Sequence, residues 1–486
     1  MNTGILAYGT YLPAHRIQLS DLGATLNIKA GKGSRVVASY DEDSTTLAVA
    51  AAQVALNQLQ GVTAARTEHA RVEEAAGGPH SATRRPSSEA APITALYFAT
   101  TTPAYADKTN ATAIHAALGL PAGVFAADVA GSARSGVAAW RAAASGHGLA
   151  VSADIRVGRP GSADERGGGD GAAAFVFGAV DDALAEIVAE ASVTAEFLDR
   201  WREPGAVAGN QWEERFGLEQ YVPLIEHARA EVLEQSDVLE PDHVVVVSPN
   251  SGVLKLAGRR WPGRKSTSGS PIGHSGAADL GLALAAVLDN AGPDETILLL
   301  SAADGCDAIL LRTTDRLAER RQPTSAAEQL ARGSDVPYAT YLTWRGLLDR
   351  EPPRRPEPDR PAAPPAARAV AWKFALTGSR CTACGFTHLP PARVCKSCGA
   401  IDAMTRAPKA AEDGTVATFT VDRLAYSPAP PVVAAVIDFD GGGRCTLEVA
   451  DGGADRLAVG SRVRPVFRRL YTAGGVHNYF WKAVVL

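Results

Sequence analysis

Short, uninterrupted apolar runs alternate with amphipathic, alanine-rich segments along most of the chain. The short runs are typical of strands buried on both faces of a sheet. They lie over residues 93–99, 244–247, 296–300 and 308–311, the last two forming a hairpin around Asp304-Gly305. Helical segments lie over residues 45–59, 111–118, 136–144 and 278–288. This order recurs in two halves and predicts a layered α/β domain, in which small alanine side chains let helices pack closely on sheets.

Two segments interrupt this pattern. Residues 63–91 carry charge, glycine, proline and serine without apolar periodicity, which predicts a flexible insertion between a helix and the next strand. Residues 351–368 (EPPRRPEPDRPAAPPAAR) contain seven prolines in eighteen positions. Such a segment is extended, so we expect a semi-rigid spacer that takes no part in a packed core.

The composition excludes several classes of protein. The chain has 486 residues, 46% hydrophobic and 21% charged, so it can form ordinary cores. Its 48 basic and 53 acidic residues give a net charge of −5, which provides no general attraction for nucleic acid or an anionic membrane. No apolar run approaches the ~18 residues that span a bilayer, and the first residues lack a signal peptide's basic and apolar regions. We therefore expect a cytoplasmic protein that binds neither nucleic acid nor membrane.

Four of the six cysteines form two closely spaced pairs, Cys381/Cys384 and Cys395/Cys398. The two-residue spacing lets both thiolates of a pair reach one metal at about 2.3 Å, and two pairs complete a tetrahedron. Four protein ligands leave no open position, which indicates structural zinc. The alternative is disulfides or unrelated thiols, which a reducing compartment disfavours.

Three other residues have side chains that could bind metal. His388 lies between the cysteine pairs and is an alternative ligand, but with four thiolates available we interpret it as a loop residue. Cys306 and Cys445 lie in strand-like segments, and we interpret both as buried small apolar groups.

Short β-patterns separated by turns follow the cysteine pairs. They cover residues 414–421, 431–439, 445–449 and 462–467. Five or so strands in about 75 residues predict a small barrel of the OB type. Some OB folds bind nucleic acid through aromatic and basic side chains, which here would be Tyr471, Tyr479, Phe480, Trp481, Arg462, Arg464, Arg468, Arg469 and Lys482. This basic set is modest, so we predict no nucleic-acid partner.

From about residue 372 the chain, with LTGSRCTACGFTHLPPARVCKSCG at its head, resembles the DUF35 family of acyl-CoA-associated proteins. The resemblance implies a rubredoxin-like zinc ribbon over 372–405 and an OB fold over 406–486. A proline-rich linker over 349–371 would join them to a large domain over 1–348. DUF35 proteins accompany thiolase-superfamily enzymes as subunits or fusions, which implies a partner thiolase.

The large domain is similar to the hydroxymethylglutaryl-CoA synthase and ketoacyl synthase III branch of the thiolase superfamily. The matching segments are GILAYGTYLP (4–13), YDEDSTTLAVAAAQVAL (40–56), GGDGAAAFVFG (168–178), the Pro249-Asn250 turn, GHSGAADLGLALAAVLD (273–289) and YATYLTWRGLL (338–348). Their order spans the whole domain. The resemblance implies a thiolase-like αβαβα duplication, a homodimer, and a coenzyme A thioester as substrate in a tunnel that leads to a buried site.

That family uses a cysteine at a helix N-terminus as its acyl carrier. Aligning the segment on Asp128 and Gly136 places Ala133 at the cysteine position. Alanine cannot carry an acyl group. Ser132 and Ser135 do not simply replace it, because one residue along a helix rotates a side chain by about 100°.

The family's other two catalytic groups are also replaced. The histidine position is Val247, or Ser248 if the register moves by one residue, and the glutamate position is Thr101. Condensation through an acyl-cysteine is therefore not expected of this chain.

Three residues are candidates for the remaining chemistry. His274 occupies the position of the family's oxyanion-hole asparagine, where it could polarise a thioester carbonyl or exchange protons. It could equally be a hydrogen-bonded structural residue beside a glycine turn. Tyr105 is a second acid/base candidate, against the alternative of an ordinary packing aromatic. Asp304 is a third, although aspartate is common in turns.

Three hypotheses follow. The first is an acyl-CoA enzyme that makes or breaks carbon–carbon bonds without a covalent intermediate, with retro-aldol cleavage using His274 and backbone N–H groups near Gly305 as its natural form. The second is a non-catalytic scaffold that binds acyl-CoA and clamps a partner thiolase through the zinc-ribbon module. The third is a surviving acyltransferase, for which Cys306 is the only cysteine left in the large domain.

Overall fold

The computed structural model describes residues 3–59, 93–452 and 456–486, so the insertion predicted over 63–91 lies outside the described residues. The first half of the large domain alternates strands with helices, as predicted. Its elements are β1 (Thr3–Tyr11), β2 (His15–Gln18), α1 (Leu19–Leu26), β3 (Ser34–Val37), α2 (44–59), β4 (Ala95–Thr100), α3 (Ala111–Ala117), β5 (Phe125–Ala130), α4 (Ser135–Ala144), β6 (Gly148–Asp154), α5 (Ala163–Gly167), β7 (Gly171–Ala179) and a 3-10 turn (Val180–Asp182).

The second half repeats the alternation. Its elements are β8 (Ala185–Thr194), β9 (Arg200–Trp201), β10 (Asn210–Gln211), α6 (Glu214–Glu234), β11 (His243–Val247), α7 (Ser251–Arg260), β12 (Lys265–Ser268), a 3-10 turn (Gly276–Ala278), α8 (Asp279–Leu288), β13 (Thr296–Ser301), β14 (Gly305–Thr313), α9 (Arg316–Glu319), α10 (Ala326–Ala331), β15 (Ser334–Asp335) and α11 (Tyr338–Trp344). No helix in the part of the chain that the structure describes is both long and apolar enough to cross a membrane.

One ten-stranded sheet runs through both halves in the order β12-β11-β13-β14-β8-β1-β7-β6-β4-β5. In the first half β4 is parallel to β5 and β6, whereas β7 is antiparallel to β6 and β1. In the second half β11 is parallel to β12 and β13, whereas β14 is antiparallel to β13 and β8. The two halves therefore share one topology, and the predicted thiolase-like duplication is confirmed.

The first turn of α4, which follows β5, packs against the 3-10 turn before α8, which follows β12. Trp140 of α4 packs on Phe175 and Phe177 of β7, with ring centroids 4.5 and 5.4 Å apart. Gly136, in the first turn of α4, has no room for a side chain, since a Cβ would lie 2.4 Å from the carbonyl oxygen of Ala277. This close approach places the start of α4 against the turn before α8, so both halves contribute to one site.

The C-terminal region contains a three-stranded sheet and a closed barrel. Its elements are α12 (Ala363–Arg368), α13 (Val370–Lys373), β16 (Thr377–Cys381), β17 (Thr387–His388), β18 (Met404–Pro408), β19 (Gly414–Asp422), β20 (Val432–Phe439), β21 (Arg444–Val449), β22 (Arg462–Ala473) and β23 (Val476–Val485). The sheet order is β17-β16-β18, and the barrel order is β19-β20-β21-β23-β22. The predicted all-β barrel is confirmed.

The barrel packs on the large domain through buried charges. Arg468 of β22 is fully buried and lies 3.1 Å from Glu42 and 2.8 Å from Asp451. Lys482 of β23 is 2.8 Å from Asp41. The other basic residues considered for nucleic acid also pair with carboxylates, in the pairs Arg462–Asp440, Arg464–Asp413 and Arg469–Asp43. These basic residues thus form ion pairs with carboxylates of this same chain.

The proline-rich segment is not the free extended spacer that its composition predicts. It contains α12, whose first turn includes Pro364, a place where proline removes no intrahelical hydrogen bond. Glu357 accepts a hydrogen bond from the Tyr426 hydroxyl of the barrel at 2.7 Å. Eight residues between positions 360 and 370 line a cavity of about 760 Å³ together with both the large domain and the barrel. The segment therefore packs on both neighbours.

Candidate functional site

A cavity of about 110 Å³ lies at the carboxyl ends of five sheet strands. Ligands of open α/β sheets bind at this edge, because the loops that follow the strands converge there. The loop residues that line the cavity are Thr101 and Thr102 after β4, Gly131 to Ala133 after β5, Arg156 and Val157 after β6, Pro249 after β11, and Ala303 and Asp304 after β13.

The three residues that the resemblance predicts at the family's catalytic positions lie near one another here. Ala133 and Thr101 line the cavity, and Val247, at the end of β11, lines a small adjoining void with Ala133. Alanine and valine carry no group that could hold an acyl chain or transfer a proton, and Thr101 offers only a neutral hydroxyl.

Asp154, fully buried at the end of β6, holds two of the loops together. One carboxylate oxygen accepts hydrogen bonds from the backbone N–H groups of Thr101 and Thr102 at 2.7 and 3.0 Å. The other accepts the N–H of Ala277 at 2.7 Å. Gly276 has φ +60°, and a Cβ there would lie 2.0 Å from that second oxygen. The Asp154 carboxylate thus positions the two loops through its hydrogen bonds.

We expect Gly276→Ala to destabilise the large domain by about 2 kcal/mol or more, because the new Cβ meets both a positive φ and the Asp154 carboxylate. The matched control is Gly258→Ala in α7, where a Cβ meets nothing within 4 Å and alanine should raise stability by up to about 1 kcal/mol. Urea unfolding of both variants measures the difference. Equal stability of the two variants would contradict the role of the Asp154 turn.

His274 lines the cavity and is paired with a carboxylate. Its Nδ1 lies 3.1 Å from Oδ2 of Asp279, the first residue of α8. The other Asp279 oxygen accepts from the N–H and hydroxyl of Ser275 at 3.2 and 3.1 Å. Because an ionised carboxylate only accepts hydrogen bonds, this contact favours the ring tautomer with its proton on Nδ1, in which Nε2 has the lone pair. This pairing is the orientation that a histidine base requires.

The structure does not bring Tyr105 to His274. The Tyr105 oxygen accepts the backbone N–H of His477 at 2.7 Å, and Tyr105 lines the cavity beside the barrel. Asp304 does line the cavity of His274, in a turn where it has φ +50°. Its carbonyl accepts a hydrogen bond from Arg134 at 2.8 Å.

Three arginines that the sequence patterns did not predict as site residues also line the cavity. Arg200 pairs with Asp164 at 2.6 Å. Arg156 donates to the Thr101 hydroxyl at 3.2 Å, and Arg202 donates to the Thr101 carbonyl. Burial lowers the pKa of the Arg156 guanidinium. No local sequence pattern marks these arginines, because their approach to the cavity depends on the order of the strands in the sheet.

The four paired cysteines come together as predicted. Their sulfur atoms all lie within 4.8 Å of one another. Sγ of Cys381 is 3.7 Å from that of Cys398, and Sγ of Cys384 is 3.5 Å from that of Cys395. A tetrahedron with 2.3 Å zinc–sulfur bonds has sulfur edges of about 3.8 Å, whereas a disulfide needs about 2.05 Å. The geometry fits zinc and excludes the disulfide alternative.

The structure also shows the surroundings of His388, Cys306 and Cys445, the three further residues whose side chains could bind metal. His388 is buried on β17, so its interpretation as a loop residue is wrong. Cys306 is buried in β14 and burial raises the pKa of its thiol, which disfavours the thiolate that a nucleophile needs. Burial raises the pKa of Cys445 on β21 to about 12.

We expect one zinc ion per chain, held by the four cysteines. Treatment with a strong chelator should unfold the β16–β18 sheet and leave the helical signal of the large domain intact, since structural zinc sites contribute folding free energy directly. Cys384→Ser should lose most of the zinc, whereas the control Cys445→Ser, outside the cluster, should keep it. Metal analysis and circular dichroism measure both effects. A ribbon that stays folded without metal would contradict the structural role.

Comparison with known proteins places both parts of the chain. Residues 374–402 match the family described as ChsH2, rubredoxin-like zinc ribbon domain, and residues 408–468 match ChsH2, C-terminal OB-fold domain. The hydroxymethylglutaryl-CoA synthase of Methanopyrus kandleri is 30% identical over 363 residues, which cover 70% of this chain and 95% of that protein. The Archaeoglobus fulgidus enzyme of the same name is 29% identical over 368 residues, covering 70% and 98%.

Solved structures share the fold. MvaS in complex with 3-hydroxy-3-methylglutaryl coenzyme A superposes with a TM-score of 0.56 and 19% identity, covering 74% of this chain and 94% of that one. 3-Oxoacyl-(acyl carrier protein) synthase III from Pseudomonas aeruginosa gives 0.53 and 19%, covering 65% and 98%. The chain belongs to the hydroxymethylglutaryl-CoA synthase family and carries a ChsH2-type zinc ribbon and OB fold at its C-terminal end.

Proposed function

We propose that this protein binds an acyl-CoA thioester in the cavity at the strand ends and acts on a carbon–carbon bond of the acyl group without an acyl-cysteine. One observation carries the proposal: His274, paired with Asp279, lines a cavity together with Ala133, the residue that the resemblance predicts at the nucleophile position. The thioester is supported by relatives named as hydroxymethylglutaryl-CoA synthases and by one that holds a coenzyme A thioester.

Retro-aldol cleavage of a 3-hydroxyacyl-CoA fits these residues. His274 Nε2 takes the proton of the 3-hydroxyl group while Asp279 stabilises the resulting imidazolium. The oxygen lone pair forms a carbonyl, the bond between C2 and C3 breaks, and its electron pair becomes the thioester enolate. A proton from the imidazolium returns to C2. The products are a ketone or aldehyde and a shortened acyl-CoA, and every atom and charge is balanced.

The thioester enolate needs hydrogen-bond donors. The turn that contains Ala133 leads into α4, where the N–H groups of Ser135 and Gly136 already donate to the Ser132 and Ala133 carbonyls at 3.1 and 3.2 Å, so we assign the N–H of Ala133 itself as the donor from this turn. Such donors stabilise a developing oxyanion most strongly in a site that excludes water. The backbone around Gly305, at the start of β14, is the second source of donors.

A scaffold role is the alternative, and one observation favours it. Phe386, Val394 and Ile401 of the zinc ribbon are 47%, 50% and 68% exposed, and Val394 and Ile401 are joined by a β-bridge. Exposed apolar side chains of this kind are suited to a protein partner, for example a thiolase. In this case the cavity would hold a thioester for chemistry elsewhere.

We also propose that the chain forms a homodimer, as the resemblance implies. β5 is an edge strand of the ten-stranded sheet, and Phe125 at its start is exposed. An edge strand presents unpaired N–H and C=O groups to a second copy of the chain.

Incubation of the purified chain with a panel of branched 3-hydroxyacyl-CoA, 3-ketoacyl-CoA and acyl-CoA thioesters tests the proposal. We expect cleavage of a 3-hydroxyacyl-CoA, measured by mass spectrometry, with no change in the mass of the protein. Binding of thioesters without turnover of any of them would favour the scaffold. An acyl adduct on the protein would contradict non-covalent chemistry.

A further inference from the structure

The cavity of about 760 Å³ lies where the large domain, the proline-rich segment and the barrel meet. Its volume is within the ~300–1,000 Å³ of pockets that hold small molecules. It shares no lining residue with the cavity of His274. We propose that this cavity binds a free fatty-acid anion, which is an apolar chain with a single carboxylate head. The site is separate from that of the proposed function and does not depend on it.

The walls of this cavity are largely apolar. Phe374 is held in place by the barrel, since its ring centroid lies 5.8 Å from that of Phe467 and 6.5 Å from that of Tyr479. The other apolar lining residues are mostly small and belong to α3, the proline-rich segment and β23: Ala113, Ala116, Pro361, Ala362, Ala363, Pro364, Ala366, Ala367, Val370 and Val476. A methylene chain placed among them is removed from water, which is favourable.

The charged residues that line the cavity are all basic. They are Lys108, Arg360 and Lys373, and no aspartate or glutamate of the described chain lines it. Lys108 is exposed and lies near Asp128, which partly balances its charge. The positive charge of the cavity therefore comes mainly from the other two residues.

Lys373 and Arg360 have no carboxylate partner in the part of the chain that the structure describes. Lys373 is half-buried, and its Nζ donates to the side-chain oxygen of Asn478 at 2.7 Å. Burial lowers the pKa of Lys373, and no carboxylate opposes that shift. Arg360 is exposed, but its methylene groups lie against Gly474, where a Cβ would be 2.9 Å from the arginine Cδ.

The positions of these two cations indicate one anionic head group. Asn478 lies on β23, and Gly474 lies in the turn that joins β22 to β23, so both basic side chains contact the same hairpin. A carboxylate there gains charge-assisted hydrogen bonds from an ammonium and a guanidinium group. A neutral lipid would leave these cations unused, whereas a small hydrophilic anion would leave the apolar walls unused. A fatty-acid anion uses both.

Calorimetric titration of the full chain with dodecanoate, dodecan-1-ol and acetate, each below its micellar concentration, tests the inference. We expect one dodecanoate per chain, bound at least tenfold more tightly than dodecan-1-ol, and no measurable binding of acetate. Lys373→Met keeps an unbranched side chain and should weaken dodecanoate binding about tenfold while changing dodecan-1-ol binding less than twofold. Arg360→Met should have the same selectivity with a smaller effect, because Arg360 is exposed.

Two further variants complete the design. Ala116→Phe fills part of the cavity and should weaken dodecanoate and dodecan-1-ol equally. Lys32→Met removes an exposed lysine that does not line the cavity, so it is the matched control and should leave both affinities unchanged. Retained dodecan-1-ol binding shows that Lys373→Met and Arg360→Met are folded.

Three results would overturn the inference. Equal affinity for dodecanoate and dodecan-1-ol would mean that the cavity recognises no anion. Several dodecanoate molecules per chain, unaffected by Ala116→Phe, would mean non-specific binding elsewhere. Free CoA that displaces dodecanoate and loses affinity in Lys373→Met would assign the cations to phosphate groups. None of these results would change the proposed function, because thioester cleavage is measured separately and depends on His274.

Discussion

His274→Gln is expected to lower kcat/KM for thioester cleavage about a thousandfold, within the range of general acid–base catalysis. Glutamine keeps hydrogen-bonding capacity and similar size but cannot take a proton from the substrate. Because His274 is expected to act mainly in the transition state, Kd for the substrate should change less than threefold. Steady-state kinetics and equilibrium binding together separate the two effects.

Two further variants define the source of this effect. Asp279→Asn should lower the rate about a hundredfold, because an amide can donate to Nδ1 and so favour the ring tautomer that has no lone pair at Nε2. Tyr105→Phe, in the other cavity, should retain most of the rate. A larger loss in Tyr105→Phe than in His274→Gln would contradict the assignment of the base.

Arg468→Met is expected to weaken the packing of the barrel on the large domain by about 3 kcal/mol. Arg468 is fully buried among Glu42, Asp451 and the Tyr11 hydroxyl, so its removal leaves buried carboxylates without a partner. Arg462→Met is the matched control on the same strand, because its pair with Asp440 is exposed to solvent and should contribute little to stability. Urea unfolding and proteolysis at the linker measure both.

The same cluster predicts a pH dependence. Burial raises the pKa of Glu42 to about 7. A carboxyl whose pKa is raised by packing favours the packed state when protonated, so this contribution is complete below the ordinary pKa near 4.5 and is lost as pH rises toward 7. Without Arg468 the pKa of Glu42 rises further, so the defect of Arg468→Met should grow with pH. Adding Glu42→Gln should remove this pH dependence; a defect that is independent of pH and of Glu42 would contradict the account.

Local patterns predicted the elements of the chain well where periodicity and packing agree. The apolar run at 244–247 lies within β11, and the cysteine spacing alone predicted the zinc cluster. β23 was not predicted, because His477, Asn478 and Lys482 interrupt its apolar pattern. Lys482 is nevertheless buried, since Asp41 of the large domain and Glu448 of β21 neutralise it. Such a partner is not visible within a window of sequence.

The candidate site was only partly predictable for the same reason. Ala133 at the nucleophile position and the candidate base His274 were each predicted from a single short segment of sequence. Arg156 and Arg202 gain their meaning from Thr101, which is 55 and 101 positions away along the chain and becomes a neighbour only through the parallel pairing of β4 with β6 and the return of the chain at β9. The local pattern of residues predicts helices and strands, whereas the charges that meet in a cavity depend on the order of the strands in the sheet.

We propose that the chain cleaves an acyl-CoA by proton transfer and not through an acyl-enzyme. Cleavage of a branched 3-hydroxyacyl-CoA in D₂O, followed by mass spectrometry of the shortened acyl-CoA and of the intact protein, tests it most directly. We expect one deuteron at C2 of the product, no protein adduct, and loss of both product and label in His274→Gln. A product without deuterium, an acylated protein, or full activity in His274→Gln would contradict it.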